Sequence, residues 1–422
     1  MLDIAFIREN KDLILKVIKE KNIQVDLERI LFLDKKRREL IQKIDSLRHE
    51  QNIKEAEKNI EGARRIKEEI KDKKKELMAL EKEYKNLMLL VPNVYSQDTP
   101  VGKDEKENKE IDRWGEIPQF SFKAKDHIQL GRDLDLIDFE TGAMTSGFRG
   151  YYLKRELVLV QFALIWHALL KLYQKGYLLM VPPVILKEFA LIGSGHFPFG
   201  KEDIYQIANP GRLADGEEIK EPLYLAGTAE PSVLAYFYNK ILREEELPIK
   251  IGAVSPCFRS EVGSYGKDTK GLYRLHEFWK VEQVIICEHS IEKSNEYLEE
   301  LRENACEILR ELKLPHRVVQ ICTGDMGPGK YKMYDIETWM PSRNNFGETH
   351  SDSNLTDWQA RRLNIKYKTK TGKKYFAFTL NNTMLASPRI LIAILENYQQ
   401  KDGSVLIPEV LQKYLPFKEI KR

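Results

Sequence analysis

Cysteine is scarce in this 422-residue sequence: Cys257, Cys287, Cys306 and Cys322 are all there is, and no two are spaced C-x-x-C. A disulfide framework and a zinc site built on paired cysteines are therefore not expected, and reduced thiols are. Glycine-rich phosphate loops are missing too. Each Gly-Lys pair is followed by Asp, Glu, Tyr or Lys, so no G-x-x-x-x-G-K-[ST] occurs, and no G-x-G-x-x-G follows a strand-like run. There is no H-E-x-x-H. Any nucleotide must be held without the usual helix-capping loop. No apolar run approaches the roughly 20 residues of a membrane span. The opening "MLDIAFIREN" carries acids and no continuous apolar stretch, so no secretory signal is expected. An excess of one charge is also absent: 68 Lys+Arg face 65 Asp+Glu, so attraction to nucleic acid has to be argued locally.

Proline is absent from Asp26 to Leu90, and the one glycine there is Gly62. Ile30, Leu33, Leu40, Ile44 and Leu47 recur by threes, fours and sevens, with Arg37 interrupting. After Gly62 the pattern resumes at Ile66, Ile70, Leu77, Leu80, Tyr84, Leu87 and Val91, with Lys73 interrupting. Such spacing with charged flanks predicts an antiparallel coiled-coil hairpin turning at Gly62, each helix about 45 Å long at 1.5 Å per residue. Leu31 to Leu90 holds 17 Lys+Arg against 13 Asp+Glu, more net positive charge than the whole chain. "KKRR" and "KDKKK" are runs of the kind that meet phosphate, although charged coiled coils usually need their charges only for solubility.

Pro92 ends the second helix, and Val91 to Glu116 reads as a charged linker. Beyond it the expected class is α+β, an antiparallel sheet flanked by helices. Helices are predicted at Gly150 to Lys175, Ser290 to Leu312 and Pro388 to Gly403; strands at Gly176 to Ile185 and Lys374 to Asn381.

"GLYRLHEFWKVEQ", Gly271 to Gln283, alternates strictly. Tyr273, Leu275, Glu277, Trp279 and Val281 form one set; Arg274, His276, Phe278, Lys280 and Glu282 form the other. This predicts a strand with one core face and one chemical face. Upstream, "CFRSE" sets Cys257, Arg259 and Glu261 on a face of a second strand, and the loop Val262 to Gly271 would fold the two into a hairpin. Guanidinium forks suit phosphate or carboxylate oxygens, and a ring suits a flat base. A nucleotide meets all these demands at once. The bland alternative is an exposed sheet face with surface ion pairs.

Read together, "FRSE…GLYRLHEFWKVE", "GYLLMVPP" and "LNNTMLASPRILIAILENYQ" resemble the three signature motifs of class II aminoacyl-tRNA synthetases. "GTAEPSVLAYF", "KMYDIETWMPSRNNFGE", "DWQARRLNIKYK" and the N-terminal hairpin are similar to the seryl-tRNA synthetase family in particular, over essentially the whole chain. The resemblance implies two domains, 1–105 binding tRNA through an arm at about 27–91, and 106–422 catalytic.

It also implies roles. Arg259, Arg389 and Glu348 would be catalytic. ATP would meet Arg259, Ser260, Glu261, Arg274, Phe278, Glu348, Thr349, His350, Ser351 and Arg389, with Phe278 stacked on adenine and Arg389 on the γ-phosphate. L-serine would lie against Thr228, Ala229, Glu230, Arg259, Glu282, Asn381 and Thr383. Glu348 and Ser351 would hold Mg2+, and zinc is not expected. His276, although nearest the site by sequence, is expected to be structural. The family usually shows Glu-Ile/Val-x-Ser-Cys-Ser around the metal glutamate, whereas this chain has "ETHSDS". The implied partner is serine tRNA, its long variable arm read by the hairpin, with selenocysteine tRNA a further candidate. A homodimer, a cytoplasmic location and no membrane association complete the expectation.

Overall fold

The structure, a computed structural model, describes residues 1–209, 211–212, 215–262 and 270–422. It divides into two compact units, Met1–Val94 and Tyr95–Arg422.

In the first unit, the proline-free stretch forms α1 (Leu27–Ala56) and α2 (Ile60–Leu89). Ile44 and Leu47 of α1 bury against Ile66 and Ile70 of α2, with Leu77 packed beside them. Arg37, the interruption in the apolar spacing, crosses to Glu81 at 3.0 Å and stands over the Tyr84 ring. The turn is not at Gly62. Lys58 takes a positive φ of 56°, and the Asn59 side chain accepts from Gly62 N, so Gly62 lies in the first turn of α2. Asparagine satisfies an orphan helix donor where glycine offers no side chain to do so.

The second unit is built on an eight-stranded sheet: β1 (Lys109–Trp114), β2 (Leu178–Met180), β3 (Ile249–Phe258), β4 (Glu277–Cys287), β5 (His316–Gln320), β6 (Lys332–Met340), β7 (Asn345–Asn354) and β8 (Phe378–Ala386). Their order is β1-β5-β6-β7-β8-β4-β3-β2, antiparallel except for β2 beside β3. The sheet is two four-stranded halves with a narrow join: β7 and β8 pair only at Asp352, Ser353 and Asn354 against Asn382, Asn381 and Leu380. Beyond those pairs the two strands part.

Three helices complete the layer architecture: α3 (Glu156–Gln174), α4 (Ile291–Glu311) and α5 (Ser387–Asn397). Ser290 caps α4, accepting from Lys293 N, so the helix starts at the expected place. Gln283 Nε2 of β4 donates to the Leu301 carbonyl of α4, and Lys171 of α3 pairs with Glu311 of α4 at 2.6 Å. α3 is long and apolar enough to cross a membrane by composition alone, contrary to the expectation that no run approaches that length. Half of that stretch is buried inside the protein. Its other side exposes Leu159, Phe162, Trp166 and Tyr173 at helical spacing, which is why the sequence is apolar almost all round.

β3 and β4 form the expected hairpin, paired from Ile249–Ile286 to Phe258–Glu277. Of its connecting loop, residues 263–269 lie outside the described residues. The alternation starting at Gly271 is only partly a strand: Gly271–Tyr273 is a 3-10 turn and β4 begins at Glu277. His127 explains the difference. Its Nε2 accepts from Leu272 N, while Glu396 accepts from its Nδ1, which pins the turn from below. The predicted strand Lys374 to Asn381 is likewise broken, at Ala377.

Candidate active site

At the end of β3 the chain leaves the sheet. Arg259 N donates to the His276 carbonyl at 3.0 Å, and Arg259 Nε donates to the Gly227 carbonyl at 3.1 Å. The guanidinium is thereby held 5.3 Å from the Phe278 ring centre. His276 bonds the Arg259 carbonyl and the Tyr205 hydroxyl through Nδ1, so it braces the backbone, as a structural histidine should. Glu261 lies beyond the strand with φ 54°, and that turn, rather than strand alternation, brings its carboxylate to Arg274 at 3.0 Å.

Arg389, in the first turn of α5, donates through Nη1 to the Glu348 carbonyl at 2.9 Å and pairs with the Glu348 carboxylate. Its guanidinium stands 4.6 Å over Tyr273, whose hydroxyl donates to the same Glu348 carbonyl. Burial is the largest influence and works against the Arg389 charge, but Glu348, Tyr273 and Glu261 together outweigh it and raise the pKa above the ordinary arginine value.

Arg259, Glu261, Phe278, Glu348, Thr349, Ser351, Thr383 and Arg389 line one cavity of about 240 Å³, with Leu272, Leu275, Ala386 and Pro388 as apolar wall. Two β-bulges aim the strands into it. In β7 the pairing runs His350–Ile336 and then Glu348–Glu337, leaving Thr349 as the extra residue. The bulge reverses the alternation, so Glu348 and Ser351 share a face with Asp335. In β8 Met384 is extra, and Thr383 and Ala386 share a face opposite Glu282 and Lys280. Both bulges flank the parting of β7 from β8, where the cavity opens.

Thr228, Glu282 and Thr383 meet at a residue given no role from sequence, Lys280, and Asn381 and Glu230 act on Glu282 in turn. Its ammonium reaches Thr228 Oγ1 at 2.7 Å and Thr383 Oγ1 at 3.5 Å, and pairs with Glu282. Asn381 Nδ2 donates to Glu282 at 3.2 Å, and Gln359 Nε2 donates to Glu230 at 2.6 Å. Burial pushes the Glu282 carboxyl up, against the pull of Lys280. Ala229 is buried at the start of the short helix Glu230–Ala235. Lys280 was legible in principle, since it alternates with Phe278 and Glu282. Tyr273 was not, because its position depends on the 3-10 turn.

Three expected site residues sit elsewhere. Ser260 donates to the Glu202 carbonyl and lines neither cavity. His350 is buried on the other face of β7, its Nδ1 2.8 Å from Thr349 Oγ1, because the bulge turns it away from Glu348. Arg274 lines a second cavity with His196, Asp203, Gly227, Arg259 and Glu261.

Among the described residues no cluster of three His, Cys, Asp or Glu side chains forms a ready metal cage. Oxygen donors are nevertheless present at the cavity: Glu348 and Ser351 line it, and the half-buried Asp335, paired with Ser351 across the strands, has one carboxyl oxygen without a hydrogen-bond partner. Hard oxygen donors in small number, completed by substrate phosphates, suit Mg2+.

A largely antiparallel sheet with an arginine at the hairpin end and another at a following helix start is the arrangement that the resemblance to class II aminoacyl-tRNA synthetases implies. The family model "tRNA synthetase class II core domain (G, H, P, S and T)" matches residues 212–398, and "Seryl-tRNA synthetase N-terminal domain" matches residues 1–95. The serine–tRNA ligase of Borreliella burgdorferi is 41% identical, with 99% of this chain and 98% of the relative covered. The crystal structure of seryl-tRNA synthetase from Pyrococcus horikoshii complexed with ATP superposes with a TM-score of 0.90 at 38% identity, over 100% of this chain and 99% of the other. That of the cytoplasmic serine–tRNA ligase from Naegleria fowleri in complex with AMP gives 0.88 at 32% identity, over 100% and 99%. The chain belongs to the seryl-tRNA synthetase family.

Proposed function

We propose that the chain activates L-serine with ATP, forming seryl-adenylate and pyrophosphate, and then esterifies the 3′ end of serine tRNA. The observation that carries this reading is the single cavity shared by Arg259 and Phe278 of the hairpin with Arg389 of α5, with the Lys280 cluster at its edge.

The serine carboxylate is the nucleophile, so no side-chain nucleophile is required. Its oxygen bonds to the α-phosphorus, the bond to the bridging oxygen breaks, and pyrophosphate leaves with the electron pair. Arg259 would hold the carboxylate and α-phosphate together, and Arg389 the far phosphate; positioning and charge stabilisation then supply the rate. Phe278 would stack on adenine. Glu348 and Ser351 would hold Mg2+, which when bound neutralises phosphate charge. Thr228, Glu230 and Glu282 would receive the serine ammonium and hydroxyl. An acceptor left unpaired by alanine supplies the discrimination.

The hairpin supports RNA binding as one part of the domain 1–105. Arg48, Lys67, Lys71, Lys74 and Lys75 surround a groove floored by Ile70 and Met78. The exposed apolar side of α3 supports a homodimer through this face.

Serine-dependent exchange of pyrophosphate into ATP, followed by charging of serine tRNA, tests the reading. Exchange that ignores serine, or responds equally to alanine, would overturn it.

A further inference from the structure

Gln359, in the short helix Trp358–Leu363, is buried and bonds three ways through its side chain. Nε2 donates to the Ser194 carbonyl at 2.8 Å and to Glu230 Oε1 at 2.6 Å. Oε1 accepts from Thr379 Oγ1 at 2.7 Å. These partners fix which way the amide faces. A backbone carbonyl has no proton to give, so only the NH2 end can meet Ser194. Both amide protons are then used, one on Ser194 and one on Glu230, and the carbonyl end is left for the Thr379 hydroxyl. Thr379 is itself anchored through its backbone: its N donates to the Thr356 carbonyl at 2.9 Å, and its carbonyl accepts from Leu355 N at 3.0 Å. By strand alternation it shares a face of β8 with Asn381 and Thr383.

Glu230, Gln359, Thr379 and Ser194 are all buried, so this array is shut off from bulk water. Among the described residues the one hydrogen bond to the Glu230 side chain comes from Gln359, and it goes to Oε1. A carboxylate can accept on both oxygens, so Glu230 keeps accepting capacity at Oε2. Its charge is felt by Glu282, the partner of Lys280, so it belongs electrostatically to that cluster. An amide turned the other way would set its oxygen against the carboxylate and drive Glu230 out of place.

We propose that Gln359 sets the affinity for the amino-acid substrate: by occupying Oε1 it fixes the rotation of the Glu230 carboxylate and leaves Oε2 to accept from the incoming serine, while Thr379 keeps the amide facing the right way. Gln359 is a positioning residue and touches no substrate. The inference rests on the reading that Glu230 receives serine, and names what aims it.

The test is pyrophosphate exchange with serine and ATP varied separately. Gln359→Met keeps the length of the side chain and removes both donors. It is expected to raise KM for serine about 10-fold, the scale of one hydrogen bond to a charged group, while KM for ATP moves less than ~2-fold. Gln359→Glu sets one carboxylate against another and should raise KM for serine further. In a chain already carrying Glu230→Ala, Gln359→Met should add nothing, because the residue it acts through is gone. Thr379→Val, a change confined to one hydroxyl, covers the case in which a Gln359 variant does not fold; KM for serine should rise ~3-fold. No rise there would overturn the proposal. So would KM for serine and for ATP rising together in Gln359→Met, or an undiminished effect of Gln359→Met beside Glu230→Ala, since either would reduce the amide to a filler of the fold. An unchanged KM for serine in Glu230→Ala alone would instead refute the serine reading of Glu230, a separate result.

Discussion

Arg389 binds Glu348 twice through one nitrogen: Nη1 stands 2.9 Å from the Glu348 carbonyl and 3.2 Å from its carboxylate. The guanidinium is thus aimed before any substrate arrives, with Tyr273 as its platform. Arg389→Ala is expected to lower serine-dependent pyrophosphate exchange by about 100-fold or more, the scale of losing a preorganised charge. Arg389→Lys should recover little, because an ammonium cannot reproduce the fork. A rate within ~3-fold of wild type would remove Arg389 from the reaction.

Phe278 lies beneath the Arg259 guanidinium and lines the cavity it shares with Arg389. Base stacking on an aromatic ring is worth about 1–3 kcal/mol. Phe278→Leu keeps the apolar contact but loses the ring, and KM for ATP should rise about 10-fold while KM for serine changes far less. Steady-state exchange at varied ATP and varied serine measures both.

Asp352 gives a pH dependence to stability. It is fully buried on β7, with Asn382 as its cross-strand partner. Burial, then repulsion from Glu299, raises its pKa well above the ordinary carboxylate value. The folded chain keeps a proton that the unfolded chain releases above about 3.9. The unfolded state binds fewer protons in that window, so this contribution to stability is full below the ordinary value and is lost as pH rises through the raised one. Asp352→Asn cannot ionise; it should raise the melting midpoint at pH 8 by a few degrees and less at pH 5. Equal shifts at both pH values would show that the carboxyl is not held protonated.

Excising the outer hairpin, residues 38–80, leaves the Arg37–Glu81 bond as the closing contact. The shortened chain is expected to keep serine-dependent exchange and lose tRNA charging. In the intact chain, tRNA affinity should fall steeply between 50 and about 200 mM salt, as phosphate contacts require. Charging that survives the excision would separate the arm from tRNA recognition.

Leu159, Phe162, Trp166 and Tyr173 form an exposed apolar ladder on α3. Trp166→Glu places a charge within it. The wild-type chain should sediment as a dimer and the variant as a monomer at micromolar concentration. A wild-type monomer would leave this ladder without the assigned partner.

Local patterns in the sequence disclosed much of this architecture. Threes and fours located α1 and α2, Ser290 located the start of α4, and alternation put Phe278 and Glu282 on one face of β4. Misreadings arose where a distant residue overrode a local preference. Asn59 capped a helix and displaced the turn from Gly62. His127, far away in sequence, held Leu272 in a 3-10 turn where alternation promised a strand. The bulge at Thr349 turned His350 away from Glu348, and nothing in "ETHSDS" marks it. Lys280 went unassigned because its partners Thr228 and Thr383 meet it only after folding.

The short join between β7 and β8 leaves the two halves of this sheet tied by three residue pairs and by α4, which bonds Gln283 on one side and Asn354 on the other. Three residue pairs act as a hinge pin, and past them the two halves are spanned by side chains reaching for a guest. A nucleotide lying in that gap would touch strands of both halves at once.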